Sequence, residues 1–308
     1  MDTAKFIFKR VFMAIFTIFV AATITFFLMK LVPGSPFASE KVNEIAQQAL
    51  NEKYGLDKPV FEQYIIYLKQ LLHGDLGVSY KLQRNVAVST IIKQSFPISA
   101  KIGVMAIIFA ILFGIPLGCL SALKRDKWQD SVIRIISTLG IAVPSFVIAT
   151  ASMLLFAIQL NILPTYGLSG PSSYILPVFT LGFYPMCYIT RLMRSSMLDA
   201  LGQDYIRTAR AKGMSELVVT FKHALKNSLI PVITYLGPLV AFTLVGGFVV
   251  EKVFNIPGLG RYFIKAIDAR DYNIIMGTTV FLASFVILMN LICDILYKLV
   301  DPRIKLDN

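Results

Sequence analysis

"DYIRTARAKGMSELVVTFKHALKNSLIP", Asp204 to Pro231, is a polar, strongly basic stretch set between two long apolar runs. Asp204 stands where it can cap a short helix over Tyr205 to Lys212, and Gly213 suits the left-handed residue that ends one. Ser215 can cap a second helix, with Glu216 favourable in its first turn. Leu217, Val218, Phe221, Ala224 and Leu225 then recur at helical spacing, which predicts one apolar stripe with Lys222, His223 and Lys226 on the other faces. The stretch reads as helix, turn, helix, and its surroundings decide what such a device serves.

Those surroundings are oil. The chain has 308 residues, of which 56% are hydrophobic and 16% charged, and its mean hydropathy is +0.68. That balance excludes an ordinary soluble domain and indicates an all-α polytopic membrane protein. A helix needs about 20 apolar residues to cross a bilayer. Runs of that order occur at Val11 to Leu31, Ile98 to Leu123, Val132 to Leu160, Tyr174 to Ile189 (continuing to Met197), Leu229 to Val250 and Ile274 to Leu296, which predicts six spans. The first run is too long for a signal-peptide core and ends in no small-residue cleavage site, so it is expected to be a retained span.

The net charge of +12 is distributed in short clusters beside these runs, a pattern of membrane topology rather than of nucleic-acid binding. Lys5, Lys9 and Arg10 precede span 1; Lys124, Arg125 and Lys127 separate spans 2 and 3; Arg191, Arg194, Arg207, Arg210, Lys212, Lys222 and Lys226 surround the junction of spans 4 and 5; Lys298, Arg303 and Lys305 follow span 6. Placing all of these inside puts both termini in the cytoplasm. The loop Asn161 to Ser173 carries no charge, and Glu251 to Asp271 mixes both signs, as expected outside.

The chain then divides into 1–31 (N-terminal end and span 1), an external helical segment 32–97, and a core 98–308 that carries a cytoplasmic loop at 199–227. In the external segment Val42, Ile45, Ala46, Ala49 and Leu50 repeat at helical spacing, as do Phe61, Tyr64, Ile65, Leu68, Leu71 and Leu72, with "YGLDKP" and "HGDLG" as breakers. This small packed cap is either a lid over the spans or a docking surface.

Several functions are excluded. Gly-Lys occurs nowhere, so no phosphate-binding P-loop is present and any ATP is bound by another chain. His73 and His223 stand alone, with no metal-binding or nucleophile motif around them, and Cys119, Cys187 and Cys293 have no ligand spacing and read as small core residues. No catalytic, cofactor or metal site is expected. Ionisable residues are nearly missing from the spans; Arg134 lies near the start of span 3, and Asp294, near the end of span 6, has Lys298 at i+4. The spans are instead punctuated by Gly114, Pro116, Gly118, Pro144, Pro177, Gly182, Pro185, Gly237, Pro238, Gly246 and Gly247, which suits either a moving pathway or the ordinary glycine and proline content of membrane helices. For Asp204 to Pro231 itself, docking of a protein, attraction to anionic lipid headgroups and a purely topogenic role are open.

Resemblance narrows the choice. Arg207, Thr208, Ala209, Gly213, His223, Leu225 and Lys226 fall on the Glu-Ala-Ala, glycine and Ile-x-Leu-Pro positions of the EAA loop of binding-protein-dependent ABC permeases; Ala209, Gly213 and Leu225 match, while Arg207, His223 and Lys226 depart. "DYIRTARAKG" with "HALKNSLIPVIT" is similar to the peptide and nickel subgroup, where basic residues stand at those places. "FIFKRVFMAIFTIFVAATITFFLMKLVPGSP", "GDLGVSY" at Gly74 to Tyr80 and "VFNIPGLGRYFIKAIDARDYNIIMG" at Val253 to Gly277 resemble, in order, the rest of its B-type permease subunit.

The resemblance implies a type I ABC importer permease fold in a bacterial cytoplasmic membrane, forming half of a pathway for oligopeptides. Its implied partners are a homologous second permease, two ATP-binding cassette ATPases that hold the ATP and magnesium, an external peptide-binding protein and membrane lipid, with no nucleic acid. It further implies that Tyr205, Arg207, Thr208, Ala209, Arg210, Lys212 and Gly213 form a coupling helix resting on an ATPase, Ala209 allowing close approach and Arg207 with Arg210 meeting acidic groups. Dipeptides, a nickel chelate or glutathione are alternative cargoes, and a non-transporting scaffold or a membrane enzyme are alternatives of another class.

Overall fold

The computed structural model describes the backbone of residues 3–31, 48, 51–52 and 55–300, and the side chains of 9–293 among them. The predicted stripe from Val42 to Leu50, the Asp294–Lys298 pair and the cationic Arg303 and Lys305 lie outside what is described. Among the described residues the chain is helical, apart from one antiparallel bridge between Val78 and Ala87.

In order the helices are α1 (Thr3–Leu31), α2 (Val60–Leu72), α3 (Val88–Leu123), α4 (Trp128–Ala142), α5 (Ser145–Ser152) continued by a π-helical stretch Met153–Gln159, and a 3₁₀ turn Pro171–Tyr174 leading into α6 (Ile175–Leu201). They continue as α7 (Asp204–Ala211), α8 (Glu216–Val218) with a π-helical stretch Val219–Ala224, α9 (Leu225–Leu244), α10 (Phe248–Val253), α11 (Leu259–Ala269) and α12 (Tyr272–Val300).

Lys9–Leu31, Val88–Leu123, Pro171–Leu201, Glu216–Val253 and Tyr272–Cys293 are each long and apolar enough to cross a bilayer. The expected third span, Val132 to Leu160, is not one straight helix: Trp128–Ala142 and Ser145–Gln159 meet at 109°. Pro144 disfavours the helical conformation at Val143, which adopts φ −83°, ψ 125° and ends α4. The run is apolar on both sides of that corner, so hydropathy alone does not register it. The second span also differs from expectation, since α3 starts at Val88 and runs through Pro97. Its 36 residues extend about 54 Å at 1.5 Å per residue, well beyond a hydrocarbon core of about 30 Å.

Contacts divide the chain into two units, residues 1–97 with 258–288, and 98–257 with 289–308. In the first, α1 packs against α2 through Ala22, Phe26, Tyr64 and Tyr67, with the Phe26 ring 5.5 Å from that of Tyr67 and Thr23 hydrogen-bonded to the Tyr64 hydroxyl at 2.8 Å. Of the predicted α2 stripe, Tyr64, Ile65, Leu68 and Leu71 pack, whereas Phe61 and Leu72, at the two ends of the helix, stay exposed. Tyr67, between Tyr64 and Leu71 on the same face, is buried, and burial pushes its hydroxyl pKa up to about 12. The expected breakers hold, with Gly55, Gly74 and Gly77 all at positive φ.

The turn after α2 is organised by a residue nearly 200 positions away. Asp271 is fully buried and accepts hydrogen bonds from the Ser79 hydroxyl (2.6 Å) and the backbone N–H groups of Tyr80, Lys81 and Leu82 (2.9–3.1 Å). Asn273 adds a bond to the Val78 carbonyl at 2.9 Å. The two segments read from the sequence as external, Gly74 to Tyr80 and the end of Val253 to Gly277, are thus bonded together.

The second unit is built on α6. Gly114 and Gly118 of α3 lie one turn apart on the face toward α6: a Cβ on Gly114 would fall 2.9 Å from the Met186 carbonyl, and one on Gly118 2.6 Å from that of Thr190. Gly182 of α6 likewise faces the Ala106 carbonyl at 2.8 Å. These glycines therefore bring α3 and α6 into close contact, as small residues do between membrane helices. They do not loosen the helices. Pro177 and Pro185 leave α6 continuous, and Pro238 leaves α9 continuous. Cys187 is buried in the same core, as its reading required.

One polar knot ties α3, α4 and α6 together. Asp130 has no exposed surface; Arg194 donates to both its carboxylate oxygens at 2.7 and 2.8 Å, Ser121 donates at 2.6 Å, and the Asp126 N–H at 3.1 Å. Arg134 approaches to 3.7 Å. A charge this deep is stable only when its partners satisfy it on several sides.

Candidate functional site

The helix α7 is short, and its C-terminal end is closed by backbone bonds. Its cap position is Gln203, in extended conformation (φ −77°, ψ 154°), so Asp204 is the first helical residue and not the cap. Its carboxylate instead accepts from Arg207 at 3.4 Å, and Thr208 donates its hydroxyl to the Asp204 carbonyl at 3.0 Å. At the other end Lys212 is the C-cap and Gly213 takes φ +77°, as expected. The Gly213 N–H bonds to the Arg210 carbonyl (2.9 Å) and the Met214 N–H to that of Ala209 (3.3 Å), the paired bonds of a Schellman ending. No side chain or backbone atom lies within 4 Å of where a Gly213 Cβ would stand, so the glycine is required by conformation alone.

Two residues seat α7. Ile206 is completely buried and Ala209 is 5% exposed, both in the core that also holds Met193, Met197 and Ala200 of α6, Val219 and Ala224 of the π-helical stretch, and Val232 of α9. Burying Ile206 stabilises this seat by about 1.5–3 kcal/mol. Ala209 therefore packs inward, against the chain's own helices, and its small size serves that packing rather than the close approach of a partner expected from the sequence. Tyr205 is partly exposed, with its hydroxyl held by Asn227 at 2.9 Å. Arg207, Thr208, Arg210, Lys212 and Gly213 are exposed.

The cations on that face are oriented from within the chain. Arg210 donates through Nε and Nη2 to the two carboxylate oxygens of Glu216 at 2.8 and 3.1 Å, bridging the turn at Gly213 and holding the guanidinium more firmly charged. Arg207 and Arg210 thus already have internal acidic partners, Asp204 and Glu216, and present a preset edge.

The second helix also departs from the expected stripe. Leu217, Val218 and Phe221 are exposed, and Val219, Thr220, Ala224 and Ser228 are buried. The shift coincides with the π-helical stretch Val219–Ala224, in which each turn takes an extra residue, so that Val219 and Ala224, five apart, are both buried. His223 lies in this stretch with its Nε2 enclosed and without a hydrogen-bond partner. Ser215 stands at the cap position of the helix, without a side-chain cap bond, and Glu216 follows in the first turn.

Gln203, Ile206 and Asn227 complete the site and were not singled out in the sequence; Glu216 was read as a first-turn acid, but its pairing with Arg210 was not. Of the three, only Ile206 left a trace there, as the apolar residue three positions before Ala209.

Residues 114–306 match the family described as the binding-protein-dependent transport system inner membrane component, and residues 3–103 match the N-terminal portion of such components. The chain belongs to this family. It is 45% identical over 304 residues, 98% of each chain, to the dipeptide transport system permease protein DppB of Bacillus subtilis (strain 168). It is 42% identical over 304 residues, 98% of this chain and 99% of the other, to the oligopeptide transport system permease protein OppB of Haemophilus influenzae.

Among solved structures the family fold recurs at low identity. An inward-facing form of the MetNI methionine ABC transporter superposes with TM-score 0.55 at 16% identity, covering 69% of this chain and 97% of that one. An amino acid ABC transporter crystallised with histidines gives TM-score 0.51 at 15% identity, covering 70% and 95%. The expected type I importer permease fold is therefore the observed one, and the chain is a multi-pass membrane subunit of a transport system.

Proposed function

We propose that the chain forms half of the transmembrane pathway of an ATP-driven peptide importer, with a homologous permease as the other half, two cytoplasmic ATPases below and a peptide-binding protein outside. The observation that carries the cargo is the identity of 39–45% over nearly the whole chain to relatives that are dipeptide and oligopeptide permeases. The chain has no P-loop of its own, so the partner ATPases bind ATP and magnesium and this subunit hydrolyses nothing.

In this reading both termini are cytoplasmic, which the short cationic loops favour. The coupling contact is α7. Its buried Ile206 and Ala209 attach it to α6 and α9, its closed C-terminal end resists fraying, and Tyr205, Arg207, Thr208, Arg210 and Lys212 face outward. A short helix fixed in this way moves with its membrane helices when an ATPase draws on it.

The test is ATP hydrolysis by the purified four-subunit complex in lipid, with and without the external binding protein loaded with mixed peptides. Stimulation by the loaded protein, lost in Arg207→Glu/Arg210→Glu, is the expected result. Stimulation by a metal chelate or glutathione, and none by peptides, would replace the cargo.

A further inference from the structure

A cavity of about 370 Å³ opens between α4 and α6, away from α7 and on the same side of α6 as the Asp130 knot. It is cationic. Arg134 and Thr138 reach it from α4 at i, i+4, and Arg191, Arg194 and Ser195 from α6 at i, i+3 and i, i+4. Of the acids nearby, Asp130 is sealed behind Arg194 and Asp126 is exposed beside Arg125, and neither lines the cavity. Three guanidinium groups against the enclosed Asp130 and the exposed Asp126 leave an excess of positive charge.

The donors that remain select the ligand. Ser121, Ser137 and Thr190 also border the cavity, but their hydroxyl hydrogens are committed to Asp130, the Ile133 carbonyl and the Met186 carbonyl. The groups able to donate into it are Arg134, Arg191, Thr138, Ser195 and the Arg194 nitrogen not used on Asp130. Planar guanidinium forks with hydroxyls, and no carboxylate in the lining, match a tetrahedral oxyanion. Arg194 is fixed by its two bonds to Asp130, so part of the site is formed before any ligand arrives. Alongside, Val132, Ile135, Ile136 and Leu139 of α4 are exposed apolar residues.

We propose that this cavity binds a phosphate group, either the headgroup of an anionic phospholipid or a soluble phosphate. The exposed apolar face of α4 beside it would accommodate acyl chains in the first case. The site does not depend on the identity of the cargo.

The experiment uses the whole transporter complex, reconstituted in discs of phosphatidylcholine alone or with phosphatidylglycerol, and reads retained phosphatidylglycerol by native mass spectrometry. Arg134→Gln/Arg191→Gln removes two cations and leaves the Asp130–Arg194 pair intact; Arg134→Lys/Arg191→Lys keeps the charge and serves if the first variant assembles poorly. Retention weakened about tenfold or more in the glutamine variant, and partly kept in the lysine variant, is the expected result for a lipid source. A second arm adds inorganic phosphate to the complex in phosphatidylcholine discs and measures protection of Arg134 and Arg191 from an arginine-modifying dicarbonyl. Protection by millimolar phosphate, without phosphatidylglycerol retention, assigns the soluble source. Unchanged lipid retention in the glutamine variant together with no protection by phosphate overturns the proposal.

Discussion

The guanidinium of Arg210 and the carboxylate of Glu216, six residues apart across the Gly213 turn, form a two-bonded pair at 2.8 and 3.1 Å. The pair sets the angle at which α7 leaves the long helix run beginning at Glu216, and it holds one of the two outward arginines in a single direction. Because both side chains face solvent, the value of the pair lies in geometry more than in stability.

Glu216→Ala is therefore expected to leave the melting temperature of the complex nearly unchanged and to lower the ratio of stimulated to basal ATP hydrolysis. Arg210→Lys should resemble it, since a lysine cannot form the fork. Wild-type stimulation in both variants would show that the brace has no part in coupling.

Gly213→Val forces a β-branched residue to φ +77° at a cost of about 1–2 kcal/mol, opening the Schellman ending. Stimulated hydrolysis should fall sharply. Gly213→Asn should retain most of it, because asparagine tolerates the left-handed region and the site around the Cβ is empty. Equal loss in both variants would point to a steric requirement in place of a conformational one.

Arg194→Ala leaves the Asp130 carboxylate enclosed without its main partner, and a loss of about 3–5 kcal/mol is expected. Removing the acid as well, in Asp130→Asn/Arg194→Ala, should recover part of that loss. Thermal unfolding of the single and double variants followed as a cycle measures the difference, and a double variant as unstable as the sum of the two singles would contradict the pairing.

Asp271→Ala should release the turn Val78 to Ala87, since one side chain there satisfies three backbone N–H groups and a hydroxyl. Hydrogen exchange at Tyr80, Lys81 and Leu82 should rise by orders of magnitude while α6 stays protected. Unaltered exchange at those three amides would remove Asp271 from the role.

Gly118→Leu should prevent assembly of α3 against α6, because even a Cβ would lie 2.6 Å from a backbone carbonyl that cannot move alone. Expression in membranes with rapid proteolysis is the expected outcome, and a normally stable protein would contradict the contact.

Much of this architecture was legible in the chain. Length and apolarity locate the spans, because each must satisfy its own backbone in lipid, and Gly213 announces the end of α7 because few residues adopt its conformation. Arg194 and Asp130 were not legible as a pair, since 64 residues separate them and nothing periodic links α4 to α6. The same holds for Asp271 and Ser79, 192 residues apart. The stripe from Leu217 to Leu225 held at Ala224 and Leu225, which pack in the core, and misled at Leu217, Val218 and Phe221 for a local reason: periodicity assumes an α-helical turn, and the π-helical stretch rotates the packed face. At Pro144 the residue was noted, but composition does not distinguish a tolerated proline from one that turns the chain through 109°, and Pro185 inside α6 is of the first kind.

The common core of Met193, Met197 and Ala200 with Ile206, Ala209, Val219 and Ala224 has a consequence best put in a mechanic's terms. A drive train with slack wastes the beginning of every stroke taking up backlash. Here the follower and the shaft share interlocked buried side chains, so, if α7 is the coupling contact proposed above, there is little clearance between a push on it and α6 and α9. Shaving a methylene from Met197 or Ile206 would insert clearance, and the loss would appear first as ATP turned over without cargo moved.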